Sequence, residues 1–169
     1  YHIENELLKA KNLTVIRNSN LPINENDRYF FESGFFDLKN NNFTTGPTKI
    51  FLKKNLFDRS ENDPRIYGVS SNYKDGVTSI KKASFTSCKK NDKCPPWSLQ
   101  ASEIKHDTNK NQLIYDNSII KFYDIPIFYF PKFFHPDPTV KRQTGFLLPK
   151  INNSNVLGSS LNVPYFHII

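Results

Sequence analysis

Trp97-Ser-Leu-Gln-Ala-Ser-Glu-Ile-Lys-His106, then the polar turn Asp107-Thr-Asn-Lys110, then Gln112-Leu-Ile-Tyr-Asp-Asn-Ser-Ile-Ile-Lys-Phe122 decides the fold class of this 169-residue chain. Trp97, Leu99 and Ala101 alternate with Ser98, Gln100 and Ser102. A period of two puts successive side chains on opposite sides of a strand, one side apolar and one wet. The turn sends the second run back beside the first, so the unit reads as two long antiparallel strands.

Outward from this unit the same grammar continues in shorter words. Leu13-Thr-Val-Ile16, Arg28-Tyr-Phe-Phe31, Phe35-Phe-Asp-Leu38, Lys49-Ile-Phe-Leu52, Arg65-Ile-Tyr-Gly-Val69 and Val77-Thr-Ser-Ile80 are rich in branched and aromatic residues, the composition of strands. Turn chemistry separates them at Asn18-Ser-Asn20, Ser33-Gly34, Asn40-Asn-Asn42, Thr45-Gly-Pro47, Asp63-Pro64, Asp75-Gly76 and Thr108-Asn109. Asp75-Gly76 is the strongest hairpin signal, because a type I′ turn needs positive φ at both central residues. Glu6 to Ala10 fits a helical turn or a strand equally. No helical pattern alternates with the strands, which excludes a parallel α/β sheet. The expectation is an all-β chain: a sandwich, a jellyroll or a stack of strand pairs.

Composition narrows the function classes. Mean hydropathy is −0.57, and no apolar run reaches the roughly 18–20 residues of a membrane helix. The densest run, Ile119 to Phe134, is broken by Lys121, Asp124, Pro126, Pro131 and Lys132, so it reads as a strand pair joined at a proline. Net charge is +7 and pI about 9.3. A basic chain suits an anionic partner, nucleic acid or phosphorylated lipid. The charges form no block, however, and no nucleic-acid motif accompanies them, so no nucleic-acid partner is expected. The chain starts at Tyr1 and has no Met; it reads as a piece of a longer protein.

Sites of chemistry are sparse. Cys88 and Cys94 are separated by five residues, which is not a zinc-ribbon spacing, and no second pair completes four ligands. A disulfide across the turn, implying an oxidising compartment, and two free thiols remain open. His135 stands between Phe134 and Pro136 without His2, His106 or His167 at a ligand spacing. There is no nucleophile elbow, P-loop or Gly-rich dinucleotide turn, so the chain is not read as an enzyme and no cofactor or metal is expected. Pro131, Pro136 and Pro138 form a hinge that interrupts pairing and redirects the chain. Lys141 and Arg142 are candidates for phosphate contact, Arg offering a fork that suits phosphate.

Several motifs in one order carry a family resemblance. They are Ala83-Ser-Phe-Thr-Ser-Cys88, Cys94-Pro-Pro-Trp97 with Ala101, Tyr115-Asp-Asn117, Ile125-Pro-Ile-Phe-Tyr129, His135-Pro-Asp-Pro138 and Lys141-Arg-Gln-Thr-Gly-Phe146. The chain resembles the LPS-assembly outer-membrane proteins of the LptD (OstA) family, at the junction of periplasmic jellyroll and membrane barrel. The match covers roughly residues 50–169 and is strongest from Ala83; the first 50 match only in style.

The resemblance implies a periplasmic β-jellyroll over 1–149 with a Pro-rich hinge at 126–149, then the start of a truncated outer-membrane β-barrel over 150–169. It implies lipopolysaccharide (LPS) as the molecule received and passed to the barrel. It also implies a periplasmic jellyroll bridge protein and an outer-membrane lipoprotein as partners. Acyl chains would slide along inward-facing residues, for which Leu99, Ala101, Ile104, Ile120, Phe122 and Ile127 are the candidates. The family's disulfides can join jellyroll to barrel, so pairing of Cys88 and Cys94 elsewhere in a longer chain is open too. The rival reading is a structural β module with a filled core, which scaffolds barrel assembly or docks a partner without a lipid path.

Overall fold

The computed structural model describes residues 2–4, 6–16, 26–52, 63–87, 97–136, 144–146, 150–154, 158–162 and 164–167. Cys88, Cys94, Pro138, Lys141 and Arg142 lie outside them. Among the described residues every element is a strand: β1 (His2–Glu4), β2 (Leu7–Ile16), β3 (Arg28–Asp37), β4 (Asn42–Thr45), β5 (Thr48–Phe51), β6 (Arg65–Gly68), β7 (Ser70–Lys74), β8 (Val77–Thr86), β9 (Trp97–Asp107), β10 (Gln112–Phe122), β11 (Ile125–Pro136), β12 (Gly145–Phe146), β13 (Lys150–Ser154), β14 (Gly158–Asn162) and β15 (Tyr165–Phe166).

β1 to β11 make one 11-stranded sheet in the order β1-β2-β3-β4-β7-β8-β9-β10-β11, with β5 and β6 off this path. Its strand pairs are all antiparallel, for example β8 with β9 and β9 with β10. The off-path pair explains itself in the register. Gly34 to Asp37 of β3 pair with β4, while Arg28 to Phe31 pair with β5. Val77 to Lys81 begin β8's pairing with β7, and Ser84 to Thr86 pair with β6. So β4 with β5 is one bent strand broken at Gly46-Pro47, and β6 with β7 is another broken at Val69. Proline cannot donate to a ladder and fixes φ, which is why the bend sits at Pro47.

The unbroken strands bend at the same level. Buried positions three apart replace the expected two: Phe31 then Gly34, Ile80 then Ala83, Ala101 then Ile104, Tyr115 then Ser118. Lys82 and Asn117 sit at the β8 and β10 switches with φ of 47° and 48°, and Asn12 of β2, with φ of 51°, lies across from the β3 switch, between the pairs Lys11–Ser33 and Leu13–Phe31. In β8 and β10 one left-handed residue rotates the strand about its own axis, and in all four strands the buried side changes parity, from even to odd numbers in β8 and from odd to even in β3, β9 and β10. Pairing resumes in the same register beyond it: Lys81 faces Glu103, and Ala83 faces Ala101. A crease therefore crosses the sheet and divides it into two halves.

The two halves bury their inner sides in one core. Ile80, Ile104 and Tyr115 from one half join Ile50, Ile66, Phe85, Leu99 and Ile120 from the other. Rings also meet across the crease. Phe31 lies 5.9 Å from Phe36 and 5.8 Å from Phe43, and Phe130 lies 5.5 Å from Phe133. At the crease the buried hydroxyls satisfy one another, Ser71 lying 2.6 Å from Thr45 and 3.0 Å from Thr48. Pairing them offsets the cost of burying polar groups. The architecture is all-β and antiparallel, consistent with a jellyroll.

Three sequence expectations change and one open choice is settled. Ser33-Gly34 is not a turn but the interior of β3, so the run Arg28–Phe31 and the run from Phe35 to Asp37 are one strand with a crease. Residues 7–10, equally open to a helical turn or a strand from sequence, are strand. Ser98, assigned to the wet side, is buried. The strands of the Ile119–Phe134 run join at Tyr123-Asp124, both with positive φ, and β11 runs on through Pro126 and Pro131 to Pro136. Among the described residues β11 is an edge strand, where a missing N–H on the open side breaks no ladder bond. Pro131 and Pro136 thus belong to a strand rather than to a break in pairing. Beyond β11, β12 pairs with β15 and β13 with β14.

Candidate functional site

The feature built by this fold is its inner apolar side. Cross-strand rows compose it. Ile80, Ile104, Tyr115 and Phe133 are successive partners across β8, β9, β10 and β11 in one half. Phe85, Leu99, Ile120 and Phe128 are the matching row in the other. Such pairs are the unit of sheet stabilisation. Tyr115 and Phe133 stack at 4.5 Å. Phe85 meets Trp97 edge-on at 5.7 Å. Ala83, Ala101 and Ser118 form the row beside the crease, and their small side chains leave room there for the halves to approach.

Exposure rises along the second row toward the edge. Leu99 is 4% exposed, Ile120 6% and Phe128 46%. The apolar interior is closed at β8 to β10 and opens at β11. Its polar members are neutral and satisfied: the Ser118 hydroxyl donates to the Phe130 carbonyl at 3.3 Å. Burial pushes the Tyr115 phenol well above its ordinary range. Among the described residues only its open end, around the 46% exposed Phe128, offers apolar contact to another molecule. Among the described residues no group of three or more His, Cys, Asp and Glu could hold a metal.

The charges sit on the other side. Lys105 Nζ lies 2.8 Å from Glu103 and 3.0 Å from Asp116, and the Ser79 hydroxyl donates to Glu103. Partial burial would raise the Glu103 carboxyl, but the Lys105 and Ser79 hydrogen bonds outweigh it and hold it below its ordinary value. The same bonds from Glu103 and Asp116 push Lys105 upward. A separate groove of about 410 Å³ opens beside the crease, lined by residues that include Leu13, Phe30, Glu32, Pro47, Lys49 and Phe51. None of the described residues nominated from sequence lines it.

Of the nominated inward residues, Leu99, Ala101, Ile104 and Ile120 come together in the core. Phe122 is half-buried opposite Trp97. Ile127 does not join them. The β10–β11 register shifts after Ile120, which faces Phe128, whereas Lys121 faces Pro126. Ile127 is the extra residue of that bulge and is 49% exposed. A bulge leaves its added residue unpaired. Sequence reasoning missed Ile80, Phe85, Tyr115 and Phe133. Their signal was the cross-strand row, legible only once the left-handed residues at Lys82 and Asn117 are known.

No family model matches the chain. It is similar to the LPS-assembly protein LptD of Legionella pneumophila strain Paris, 33% identical over 87 residues, which is 52% of this chain and 10% of that protein. It is similar to the LPS-assembly protein LptD of Polaromonas sp. strain JS666, 32% identical over 88 residues, 50% of this chain and 11% of that protein. The likeness to the LPS-assembly protein LptD of Francisella tularensis subsp. holarctica strain OSU18 runs further, 26% identical over 138 residues, 77% of this chain and 16% of that protein. The chain spans between 10% and 16% of the length of these relatives.

Proposed function

We propose that this chain, which is LptD-like, is the part of an LPS-assembly protein that receives lipopolysaccharide on the periplasmic side of the outer membrane and passes it on. The observation that carries the reading is the continuous apolar inner side that opens at β11. Acyl chains seated there would gain about 0.8 kcal/mol per buried methylene. In this reading residues 1–149 form the jellyroll, and the β13–β14 hairpin begins a membrane barrel. Lys141 and Arg142 would contact lipid phosphates. A periplasmic bridge of similar jellyrolls would supply the LPS, and an outer-membrane lipoprotein would accompany the barrel. The role requires no covalent chemistry.

Leu99, Ala101, Ile104 and Ile120 are each no more than 6% exposed. Transport therefore requires the two halves to hinge apart about the crease, through which β8, β9 and β10 run unbroken, with the small row Ala83, Ala101 and Ser118 beside the hinge. The same burial favours the second reading, a structural module whose core stays filled. Competition separates them. A fluorescent fatty-acyl probe bound by the chain should be displaced by lipid A if the interior is a conduit. A filled core would bind neither.

A further inference from the structure

Five of the fifteen exposed large apolar side chains among the described residues fall within seven consecutive positions. Tyr123, Ile125, Ile127, Phe128 and Tyr129 are 46–66% exposed on the β10–β11 tip and the adjoining stretch of β11. Scattered single exposures need no explanation, but a contiguous cluster marks a contact surface.

Three observations choose the occupant. First, a protein strand is poorly served: Pro126, Pro131 and Pro136 recur along the β11 edge, and the bulge after Ile120 distorts it. Prolines and bulges are the devices that keep an edge from pairing. Second, the residue types match a membrane–water boundary. Tyr and Phe rings sit beside aliphatic side chains, and Lys121 and Lys132 outnumber Asp124 around them. Aromatic rings settle at headgroup level, and lysines reach lipid phosphates. Third, the rim is held ready: the Tyr129 hydroxyl donates to Asn117 Oδ1 at 2.9 Å, fixing the ring in its exposed position.

We propose that this rim seats in the headgroup zone of a phospholipid bilayer, so that the open side of the sheet faces the membrane surface. The inference goes beyond the LPS reading and is tested without LPS, so the two fail separately.

The test is flotation of the full chain with large unilamellar vesicles of phosphatidylethanolamine and phosphatidylglycerol. The wild type should float. An Ile125→Ser, Ile127→Ser double variant should lose about tenfold in partitioning, since binding scales with buried apolar area. Phe35→Ser is the control, because Phe35 is 60% exposed on β3, away from the rim; it should partition as the wild type does. Where the double variant loses the far-ultraviolet signature of the sheet, Ile125→Ser alone is scored. A wild type that stays with the unbound fraction, or three proteins that float alike, would overturn the proposal. So would a lipid-independent dimer that the double variant abolishes, which would assign the rim to a second copy.

Discussion

Replacing Ile104 with alanine tests whether the two halves close on each other. Ile104 is 2% exposed, and its cross-strand neighbours are Ile80 and Tyr115, themselves buried. The substitution removes three carbons, worth about 2.4 kcal/mol in transfer alone. Its neighbours are held in ladders on both sides and relax only partly, so a cavity term raises the expected loss to about 3–5 kcal/mol. Urea unfolding followed by the fluorescence of Trp97, the only tryptophan, gives the value. Ile127→Ala is the control, since an exposed position should change stability by no more than about 0.5 kcal/mol. A loss at Ile104 below about 1 kcal/mol would refute the reasoning, because it would mean that the inner side is not packed.

The crease, Gly68 beside the break at Val69, and the outer charge cluster each give a further prediction. Lys82→Val should cost about 1–3 kcal/mol, because a β-branched residue is strained at φ 47°, whereas Lys82→Gly should not destabilise; unfolding midpoints decide. A Cβ at Gly68 would overlap Cγ2 of the buried Ile80, so Gly68→Ala should cost about 1–3 kcal/mol by overpacking, read by thermal denaturation. Lys105→Met should cost about 0.5–1 kcal/mol at neutral pH, the worth of a partly exposed ion pair. Glu103 is held low, so its share is present above its ordinary value of 4.5 and is lost as pH falls through the lower folded value. Lys105 is held high, so its share is present below 10.5 and is lost as pH rises through the higher folded value. The difference between the wild type and Lys105→Met, measured by urea unfolding across pH, should therefore be a plateau that fades at both ends.

The strands were legible in the sequence because alternation and turn residues are local signals. Asp75-Gly76 turns with positive φ at both residues, as its chemistry requires. Leu99 and Ala101 were placed together by period two, and both are buried. The crease was not legible. It depends on left-handed residues inside strands, and while asparagine at 12 and 117 tolerates that region, lysine at 82 gives no hint of it. Turn chemistry assigns Ser33-Gly34 to a turn, whereas both residues lie inside β3 at the crease. Ile127 escaped for a related reason: a bulge adds one residue and moves every later side chain across the sheet, and no single residue type announces it.

The central claim is that the inner side carries the acyl chains of LPS. Site-specific photo-crosslinking in cells, in the full-length protein, tests it most directly. The probe goes at Phe122, opposite Trp97 at the half-buried end of the apolar side, with the neighbouring Lys121 opposite Ser98 as control. The account predicts an LPS adduct at 122 and none at 121. In a protein shown to be folded, no adduct at either position would contradict it and leave the filled structural module.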